Sequence, residues 1–465
     1  MFSLPRVCVI GAGSSGIAVA KALYDQGIPF DVYEKGDRVG GNWVFKNKNG
    51  QSSAYRSLHI NTSTVRMQYA DYPMPDHFPD FPHHSLMARY FQDYVDHFGF
   101  GHRIQFETPV EHVAPRPGGG YEVRLGDGRT ESYDAIAVAN GHHWDPRWPE
   151  PAFPGRFDGV EMHSHHYIDP QDPHDLVGKR VVVLGMGNSA MDIACELGRP
   201  GVAGRTYLAA RRGAWVIPNY VFGRPLDQIA ALPPAVPFRV RQQLLKLVYR
   251  LAVGRPEDFG LPAPDHEILT AHPTISSDLL PKLGRGDVVP KPNIAELLGD
   301  RVRFDDGTVE EVDAIVYCTG YKVSFPFFDP GFVSAPDNDL PLFKRVFRPG
   351  IPDLFFIGLV QPLGAVMPIA EAQGKWVAEF LRGWYALPSE EKMIEDIEGE
   401  RSAMFRRYVK SKRHTMQIDF DDYLADLARE VRAGRKRARA LENVLPIPPR
   451  ATARQARPAE GTVAG

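Results

Sequence analysis

Short apolar runs recur along the chain, and two of them lead directly into glycine-rich turns. The first run, Val7–Ile10, has four consecutive apolar residues, which is typical of a strand buried on both faces of a parallel sheet. Gly11–Gly16 follows with the spacing Gly-x-Gly-x-x-Gly, and the Ala-, Leu- and Val-rich stretch Ile17–Tyr24 predicts a helix. A second strand, Phe30–Tyr33, then leads to Glu34, about 20 residues after the turn. This order of strand, glycine turn, helix and acid predicts a site for the ADP part of a dinucleotide.

The turn has the residues that such a site needs. Gly11 permits the sharp exit from the strand, Gly13 lets a pyrophosphate touch the backbone, and Gly16 lets the helix pack on the sheet. The first N–H groups of the helix then face the phosphates, and Glu34 accepts hydrogen bonds from ribose hydroxyls. A glycine-rich turn without a ligand is the alternative, and the neighbouring strand, helix and acid make it the less favoured one.

The same arrangement recurs in the middle of the chain. Arg180–Leu184 predicts a buried strand, and Gly185–Ala190 is its turn, with alanine in the third glycine position. After a short helical pattern, the next strand, Arg205–Ala210, ends in Arg211 and Arg212 rather than in an acid. An acid there would repel a 2′-phosphate, whereas guanidinium groups bind it through paired hydrogen bonds. The pattern therefore favours NADP over NAD, and the alternative is a solvated sheet edge.

Alternating patterns predict smaller strands around these two units. Ile104–Val113, Tyr121–Leu125 and Ser132–Val138 have strand character, and Gly126–Gly128 suits a hairpin turn between the last two. We expect these strands to form a small antiparallel sheet inserted into the first unit. Later in the chain, the expected elements are strands at Arg301–Phe304 and Thr308–Val312, a strand at Ala314–Cys318 that returns to the first sheet, a buried strand at Leu354–Gly358 and a helix at Ile369–Leu381.

Helical patterns outside the two units complete the architecture. Ser85 is the expected N-cap of a helix with an apolar stripe, which Gly99 ends. Phe238–Val253 predicts a basic amphipathic helix, which either lies on a membrane surface or covers a domain with its apolar face inward; the second is favoured. The sequence from 388 to 431 is helical and charged, and the basic, Pro- and Ala-rich end beyond Gly434 predicts a flexible tail.

Composition narrows the class of protein. The 465 residues suffice for two domains, and 43% hydrophobic with 24% charged residues is ordinary for a globular protein. A net charge of −3 gives no reason to expect nucleic acid as a partner. Cys8, Cys195 and Cys318 lie far apart, which suits a reducing compartment and excludes a disulfide framework or a dithiol centre. Because no signal-peptide pattern and no apolar run of about 18 residues is present, we expect a cytoplasmic protein without a transmembrane segment.

A further motif, Phe157-x-Gly159-x-x-x-His163-x-x-x-Tyr167, lies just before the second unit. With this motif the chain resembles the flavin-containing monooxygenases, class B flavoprotein monooxygenases that use FAD and NADPH. The resemblance extends from residue 5 to about residue 432, and it is specific because several separate motifs agree. The other matching segments are Gly11–Gly16, Glu34, Gly40–Trp43, Gly187–Asp192, Cys318–Tyr321 (with cysteine in place of the family's alanine), Gln361–Gly364 and Gln417–Phe420.

Together with this resemblance, the two units predict an α/β fold with two Rossmann-like dinucleotide-binding domains and inserted antiparallel β-strands. The FAD-binding domain is expected to be discontinuous, at 1–168 and 282–432, because later strands complete its sheet. The NADPH-binding domain is expected at 169–281 with a helical insertion at 233–260, and the flexible tail at 433–465. The C-terminal stretch is polar where vertebrate members of the family have a hydrophobic anchor, so no membrane location is expected.

The resemblance also implies which residues carry the reaction and hold the cofactors. Asn61 is expected to be the active-site asparagine, which hydrogen-bonds the C4a-hydroperoxide formed from reduced FAD and O₂, and also the nicotinamide amide. An asparagine that only completes a loop turn is the alternative. His163 is expected to brace the link between the domains, and no metal is expected. The expected cofactor contacts are Gly11, Ala12, Gly13, Ser14, Ser15, Gly16, Glu34, Lys35, Gly41, Asn42, Trp43, Ile60, Asn61, Thr62, Gly185, Gly187, Asn188, Ser189, Asp192, Arg211, Arg212, Thr319, Gly320 and Gln361.

The expected activity is NADPH- and O₂-dependent oxygenation of a soft nucleophile, the nitrogen of an amine or the sulfur of a sulfide. One alternative is a Baeyer–Villiger monooxygenase, which shares both cofactors and oxygenates ketones, but whose motif usually has tryptophan where this chain has Tyr167. Another is a redox sensor that binds FAD without turnover, and the intact second unit disfavours it. The expected partners are a small-molecule substrate and O₂. A homodimer is compatible with the sequence, which specifies neither the substrate nor the oligomeric state.

Overall fold

Two parallel sheets form the frame of the molecule and confirm the predicted α/β fold. The computed structural model describes residues 4–229, 238–271, 273–407 and 415–450. The first sheet has six strands, and all its neighbouring strands are parallel except the pair at one edge. In spatial order the strands are Phe347–Arg348, Ile351–Phe356, Ala135–Val138, Val7–Ile10, Phe30–Tyr33 and Ile104–Gln105.

The sheet of the first unit is discontinuous in sequence, as predicted. Ile351–Phe356, from late in the chain, pairs with Ala135–Val138. The two central strands, Val7–Ile10 and Ala135–Val138, are fully buried, because helices cover one face of the sheet and a smaller antiparallel sheet packs on the other. The helices Ser14–Asp25 and Met367–Leu381 cover the same face and contact each other closely, since a Cβ on Gly374 would lie 2.9 Å from the Cα of Val19.

The second sheet has five parallel strands, which are in spatial order Val160–His163, Ala314–Tyr317, Arg180–Leu184, Arg205–Ala209 and Val289–Lys291. The prediction that the run at 314–318 returns to the first sheet is therefore wrong. It lies between two strands of the second sheet instead. An apolar run indicates burial on both faces, but it does not indicate which of two sheets provides that burial.

The strand partners also bear on the division into domains. Val160–His163 and Ala314–Tyr317 lie outside the second domain expected at 169–281, yet both belong to its sheet. We therefore propose boundaries for the second unit near residues 155 and 318, which keep each sheet within one domain. The late strand Ile351–Phe356 stays with the first unit.

Smaller sheets surround the frame. The predicted antiparallel insertion is present, with a turn at 126–128, but the run predicted at Ile104–Val113 divides between the first sheet and this insertion. The insertion comprises Val110–Pro115, Tyr121–Leu125 and Thr130–Tyr133; a second small sheet comprises Val309–Glu311, Arg301–Phe304, Ile294–Gly299 and Gly155–Phe157. Two-stranded pairs join Asp145–Pro146 to Tyr321–Lys322, Val216–Ile217 to Thr274–Ile275, Tyr220–Val221 to Arg224–Pro225, and Gln361–Leu363 to Gln417–Asp419.

The helices follow the predicted patterns, with one different cap. His83, not Ser85, is the N-cap of the helix His84–Phe98, and its ring nitrogen accepts a hydrogen bond from the backbone N–H of Ser85. Gly99 ends this helix with a φ of 74°, as predicted. The α-helices are Ser14–Asp25, Thr64–Met67, His84–Phe98, Asn188–Leu197, Leu226–Ile229, Phe238–Ala252, Leu279–Arg285, Met367–Leu381, Glu390–Arg407 and Phe420–Ala440; short 3₁₀ turns occupy Gly41–Trp43, Gly101–Arg103, Pro256–Phe259 and Pro336–Asn338.

The insertion helix, Phe238–Ala252, has apolar residues on two sides. Tyr249 packs with Ile217 and Ile268, as expected for a helix that covers a domain. The start of the predicted insertion, 233–237, lies outside the described residues. Within the part of the chain that the structure describes, no helix has both the length and the apolar character needed to cross a bilayer. Apolar side chains that remain exposed on the insertion helix are Val240, Leu244, Leu247 and Leu251.

The prediction of a flexible tail from residue 433 is wrong as far as residue 450. The helix Phe420–Ala440 continues through Gly434, where a Cβ would lie 1.9 Å from the ring of Tyr385. This glycine permits close packing and does not end the helix. Arg435, the third residue of the predicted tail, forms an ion pair with Glu379. Residues 451–465 lie outside the described residues.

Candidate functional site

A large cavity of about 2090 Å³ lies where the strands of both sheets reach their carboxyl ends. It contacts Ile10 and Gly11 after one central strand, and Leu184 and Gly185 after the other. Open α/β sheets bind their ligands at this edge. A pocket for one ligand usually measures about 300–1,000 Å³, so this cavity has room for two dinucleotides.

The first glycine turn is built so that its backbone faces the cavity. Gly11 has a φ of 100°, and a Cβ on Gly16 would lie 1.9 Å from the carbonyl oxygen of Gly11, so helix and turn are in direct contact. Gly13 differs, because the nearest atom to its Cβ position is 3.7 Å away, at Gly41. No side chain caps the helix that begins at Ser14, so its first N–H groups are available to an anion. These features fit a bound pyrophosphate.

Glu34 is buried at the edge of the same turn and contacts the cavity. Its carboxylate accepts hydrogen bonds from the backbone N–H of Ala12 at 2.7 Å and of Gly36 at 2.6 Å. A carboxylate has about four acceptor positions, so capacity remains for the hydroxyls of a ribose. Two backbone bonds fix the orientation of Glu34 before any ligand arrives.

A second glycine-rich segment packs against the first turn. A Cβ on Gly41 would lie 3.0 Å from the Cα of Gly13, and Gly41 has a φ of 55°, so both features favour glycine there. Asn42 accepts a hydrogen bond from the backbone N–H of Ser53 at 2.8 Å. Trp43 follows and also contacts the cavity. This segment continues the cavity wall away from Glu34, which is the residue predicted to bind the adenosine ribose.

Asn61 lies in the cavity on a loop whose backbone is held on both sides. The N–H of Ile60 donates to the carbonyl of Pro82 at 3.0 Å, and the N–H of Ser63 donates to the carboxylate of Asp227 at 2.6 Å. Asn61 itself is half-buried, and its side-chain amide has no hydrogen-bond partner among the described residues. The structure therefore presents a positioned amide with free donors and a free acceptor.

The second turn repeats the geometry of the first. Gly185 has a φ of 142°, and a Cβ there would lie 2.5 Å from the carbonyl oxygen of Cys318. The helix that follows begins at Asn188, with no side-chain cap. The amide oxygen of Asn188 accepts the backbone N–H of Ile275 at 2.7 Å, which ties the turn to the short strand Thr274–Ile275. This turn also leaves helix N–H groups available to a phosphate.

Asp192 lies one turn into that helix and joins the two halves of the site. Its carboxylate accepts a hydrogen bond from the hydroxyl of Tyr55, which belongs to the segment leading to Asn61. Burial raises the pKa of Asp192 to about 6, although the bond from Tyr55 acts in the opposite direction. Asp192 is therefore a half-buried acid on the wall of the cavity.

The two arginines lie at the far end of this unit. Arg211 and Arg212 are exposed and contact the cavity. The Nε atom of Arg212 lies 3.3 Å from the carboxylate of Asp265, and Arg211 has no ion pair within the described residues. Two guanidinium groups at the end of this strand fit the 2′-phosphate of NADPH.

The motif between the nucleotide units, Phe157–Tyr167, contains two side chains that form buried hydrogen bonds. His163 is fully buried, and burial lowers its pKa to about 4, so its ring is neutral. Its Nδ1 accepts the backbone N–H of His165 at 3.1 Å. Tyr167 donates from its hydroxyl to the carboxylate of Glu196 at 2.8 Å. These contacts support the hypothesis that the motif braces the link between the domains.

The structure brings nearly all the predicted cofactor contacts together. Ala12 and Gly16 do not contact the cavity, since the N–H of Ala12 binds Glu34 and Gly16 packs on Gly11. Sequence reasoning missed Tyr55 and Asp265, because neither belongs to a motif or a periodic pattern. The predicted residues that contact the cavity are Gly11, Gly13, Ser14, Ser15, Glu34, Lys35, Gly41, Asn42, Trp43, Ile60, Asn61, Thr62, Gly185, Gly187, Asn188, Ser189, Asp192, Arg211, Arg212, Thr319, Gly320 and Gln361.

Comparison with known proteins gives consistent matches. A model of the family described as flavin-binding monooxygenase-like matches residues 5–440. Flavin-containing monooxygenase 5 of Rattus norvegicus is 37% identical over 450 residues, which is 91% of this chain and 82% of that protein. The N-oxide-forming dimethylaniline monooxygenase 2 of the same species is 36% identical over 450 residues, which is 92% of this chain and 83% of that protein. The solved structure of S-allyl-L-cysteine S-oxygenase from Allium sativum superposes with a TM-score of 0.69 at 27% identity, and the match covers 94% of this chain and 93% of that one.

Proposed function

Because the chain belongs to the flavin-binding monooxygenase-like family, we propose that it oxygenates the nitrogen of an amine or the sulfur of a thioether. It is a flavin-dependent monooxygenase, and its cofactors are FAD and NADPH. Two relatives support the substrate class, since one is named for forming an N-oxide and the other for S-oxygenation. Both target atoms are soft nucleophiles with a lone pair.

The shared cavity is the observation that carries this proposal. Oxygenation requires that a reductant and a flavin meet, and the two glycine turns and Asn61 all contact one continuous space. In this proposal, the helix start at Ser14 and Ser15 binds the pyrophosphate of FAD, and Glu34 binds its adenosine ribose. The segment from Gly41 onward then directs the ring end of FAD towards Asn61.

The second turn has the matching role for NADPH. We assign the pyrophosphate of NADPH to the helix start at Asn188 and Ser189, and its 2′-phosphate to Arg211 and Arg212. Asp192, on the next turn of that helix, positions Tyr55 through their hydrogen bond. The coenzyme thus lies across the boundary between the two sheets.

Bound FAD and NADPH supply hydride transfer to the flavin and the activation of O₂. The chain contributes a shielded site and fixed hydrogen bonds at the reacting atoms. Asn61 is the candidate for these bonds, because its backbone is held at Ile60 and Ser63 while its amide remains unengaged within the described residues. A neutral amide both donates and accepts, and it has no acidic proton to give to a reactive oxygen.

Product analysis with three substrate classes tests the proposal. Purified FAD-loaded enzyme is given NADPH, O₂ and, in separate reactions, a tertiary amine, a thioether and a cyclic ketone. We expect an N-oxide or a sulfoxide, with close to one NADPH consumed per product. A lactone from the ketone without any N- or S-oxide would instead establish Baeyer–Villiger chemistry. NADPH oxidation that yields only hydrogen peroxide with all three substrates would contradict oxygenation of these classes.

A cytoplasmic location is also proposed. Cys8, Cys195 and Cys318 are all free and buried, which suits a reducing compartment. Fractionation of cells that express the full chain would test this, with activity expected in the cytosolic fraction. Activity that sediments with membranes and resists a salt wash would contradict it.

A further inference from the structure

The loop at 261–271, which follows the insertion and which we call the insertion loop, lines the cavity beside the arginine end. Asp265 and His266 lie on this loop and contact the cavity next to Arg212. The loop packs directly on the turn that follows the arginines, because a Cβ on Gly213 would lie 2.0 Å from the carbonyl oxygen of Pro262. Asp265 is therefore part of the wall that a bound coenzyme meets at its adenosine end.

The insertion helix holds this loop in place. Gln242 donates from its side-chain amide to the carbonyl of Ile268 at 2.7 Å. Lys246, one turn later, forms an ion pair with Glu267 at 2.6 Å. The carboxylate of Asp265 is thus brought to the glycine turn by a separate segment of the same unit, and no motif of the glycine turn includes it.

Asp265 offsets part of the positive charge at this end of the cavity. One carboxylate oxygen lies 3.3 Å from Nε of Arg212, and the other lies 2.9 Å from Nδ1 of His266. The bond to His266 lowers the pKa of Asp265, so the group is a carboxylate at neutral pH. Arg211 has no ion pair within the described residues, so no neighbouring carboxylate there offsets its positive charge.

We propose that Asp265 determines coenzyme selectivity by acting against the two arginines. Its carboxylate repels a 2′-phosphate and accepts a hydrogen bond from a free 2′-hydroxyl, so that the enzyme accepts NADH as well as NADPH. An acid at the end of the second strand performs this task in NAD-binding units. Here Arg212 occupies the strand end, and the insertion loop supplies the acid instead. The inference rests on the proposed function, because it takes the NADPH site to be where Arg211 and Arg212 lie.

The alternative role for Asp265 is to position Arg212 for the phosphate, and the exposure of the pair disfavours it. The side chains of Arg212 and Asp265 are 51% and 44% exposed, and ion pairs as exposed as this one hold their partners only weakly. A 2′-phosphate beside Asp265 carries close to two negative charges, whereas Arg212 carries one positive charge. The repulsion between Asp265 and the phosphate therefore outweighs the attraction between Asp265 and Arg212. Removal of the carboxylate should therefore favour the phosphate.

Binding of two nucleotide probes to the FAD-loaded enzyme tests the proposal. We would measure dissociation constants for 2′,5′-ADP and for 5′-ADP by calorimetry at fixed ionic strength, in wild type, Asp265→Asn and Asp265→Ser. Glu257→Gln is the matched control, since it removes an exposed carboxylate on the short turn before the loop that does not contact the cavity. Arg211→Ala combined with Arg212→Ala reports separately on the site itself. Retained FAD and the circular dichroism spectrum establish that each variant is folded.

We expect both Asp265 variants to bind 2′,5′-ADP about three- to tenfold more tightly and 5′-ADP no more tightly than wild type. The ratio of kcat/KM for NADPH to that for NADH should rise by a similar factor. Weaker or unchanged binding of 2′,5′-ADP by the Asp265 variants overturns the proposal, and so does the same gain in Glu257→Gln. If the double arginine variant binds 2′,5′-ADP as wild type does, the assignment of the NADPH site fails, and this inference fails with it. If only the double arginine variant responds, the site stands and the role of Asp265 is refuted.

Discussion

The hydroxyl of Tyr55 donates a hydrogen bond to the carboxylate of Asp192, and this contact joins the segment before Asn61 to the helix of the second nucleotide turn. Burial makes ionisation of Asp192 costly, and the nearby carboxylates of Asp278 and Glu196 add to that cost. The pKa of Asp192 is therefore about 6, although the hydroxyl of Tyr55 stabilises the ionised form. The junction between the two halves of the site thus contains a group that titrates near neutral pH.

We predict that Asp192→Asn changes the pH dependence of stability. The pKa of Asp192 is higher in the folded protein than in the unfolded chain, where it is near 4. The free energy of unfolding that Asp192 contributes is therefore greatest below about pH 4, and it is lost as the pH rises through about 6. The asparagine variant keeps an acceptor for Tyr55 and has no group to ionise. Its melting temperature relative to wild type should therefore rise between pH 5 and pH 7.5, by about 1–2 °C, and stay level above that. Thermal unfolding of the FAD-loaded protein across this range measures the effect.

Tyr55→Phe is the companion to this experiment. Without the hydroxyl, the ionised form of Asp192 loses its hydrogen bond and its pKa rises further. The loss of stability should then occur at a higher pH than in wild type. A difference between Asp192→Asn and wild type that does not vary with pH would contradict the assigned pKa.

Asp192 shows where prediction from the sequence succeeds, and Tyr55 shows where it fails. Asp192 belongs to a local arrangement of strand, glycine turn and helix, in which all the determinants lie within about 30 residues. Such arrangements are recognised because burial, turn conformation and helix pattern agree with one another. Tyr55 lies in a polar stretch without any period, and its partner is 137 positions away. No local pattern indicates a contact over that separation.

The strands show the same limit. Val7–Ile10 and Ala314–Tyr317 are both predicted as buried parallel strands and both are such strands, yet only the first was placed in the correct sheet. Their apolar side chains meet helices or other sheets on both faces and carry no information about which strand lies alongside. Asp265 could not be found either, because its position depends on how the insertion folds back onto Gly213.

We predict that Asn61→Ala uncouples NADPH consumption from product formation. The variant loses the only groups of that side chain that donate or accept, and removal of one positioned donor commonly reduces a catalytic rate by about 100-fold or more. Hydrogen peroxide released per NADPH oxidised should rise at least about tenfold. A peroxide assay run together with NADPH absorbance measures this ratio.

Asn61→Asp distinguishes the effect of side-chain size from the effect of hydrogen bonding. Aspartate has nearly the same shape as asparagine but no N–H donors. It should release peroxide as the alanine variant does. FAD content and the circular dichroism spectrum serve as controls, and both should match wild type. A variant that remains fully coupled would exclude Asn61 from the oxygenation step.

Gly13 and Gly16 should respond differently to the same substitution. Gly13→Ala has space in the protein, because its Cβ would lie 3.7 Å from the nearest atom and its φ is −73°. The methyl group would occupy the approach of the pyrophosphate, so we expect a normal fold and an FAD dissociation constant raised about tenfold or more. Gly16→Ala would place its Cβ 1.9 Å from a backbone oxygen, and we expect a loss of about 3 kcal/mol in stability. Flavin fluorescence and urea unfolding measure the two effects, and equal affinity of Gly13→Ala for FAD would contradict the assignment of this turn.

A chain of hydrogen bonds connects the cavity wall to the C-terminal helix through Gln373. The side chain of Gln373 accepts the backbone N–H of Gly358 at 2.8 Å and donates to the hydroxyl of Tyr423 at 2.7 Å. That hydroxyl donates in turn to the carbonyl of Lys344 at 2.7 Å. Gly358 contacts the cavity and lies against Ser15 of the first helix, since its Cβ position is 2.0 Å from the hydroxyl oxygen of Ser15.

We predict that Gln373→Leu weakens both the fold and the retention of FAD. Leucine fills a similar volume but leaves two buried groups without their bonds to Gln373, the N–H of Gly358 and the hydroxyl oxygen of Tyr423. Each unsatisfied group costs about 1–3 kcal/mol. Tyr423→Phe removes only the far end of this set of bonds and should have the smaller effect on FAD retention, because Gly358 keeps its bond to Gln373. The free energy of unfolding in urea and the rate of FAD release after dilution measure the two consequences. If Gln373→Leu releases FAD no faster than Tyr423→Phe, the C-terminal helix does not support this wall of the cofactor site.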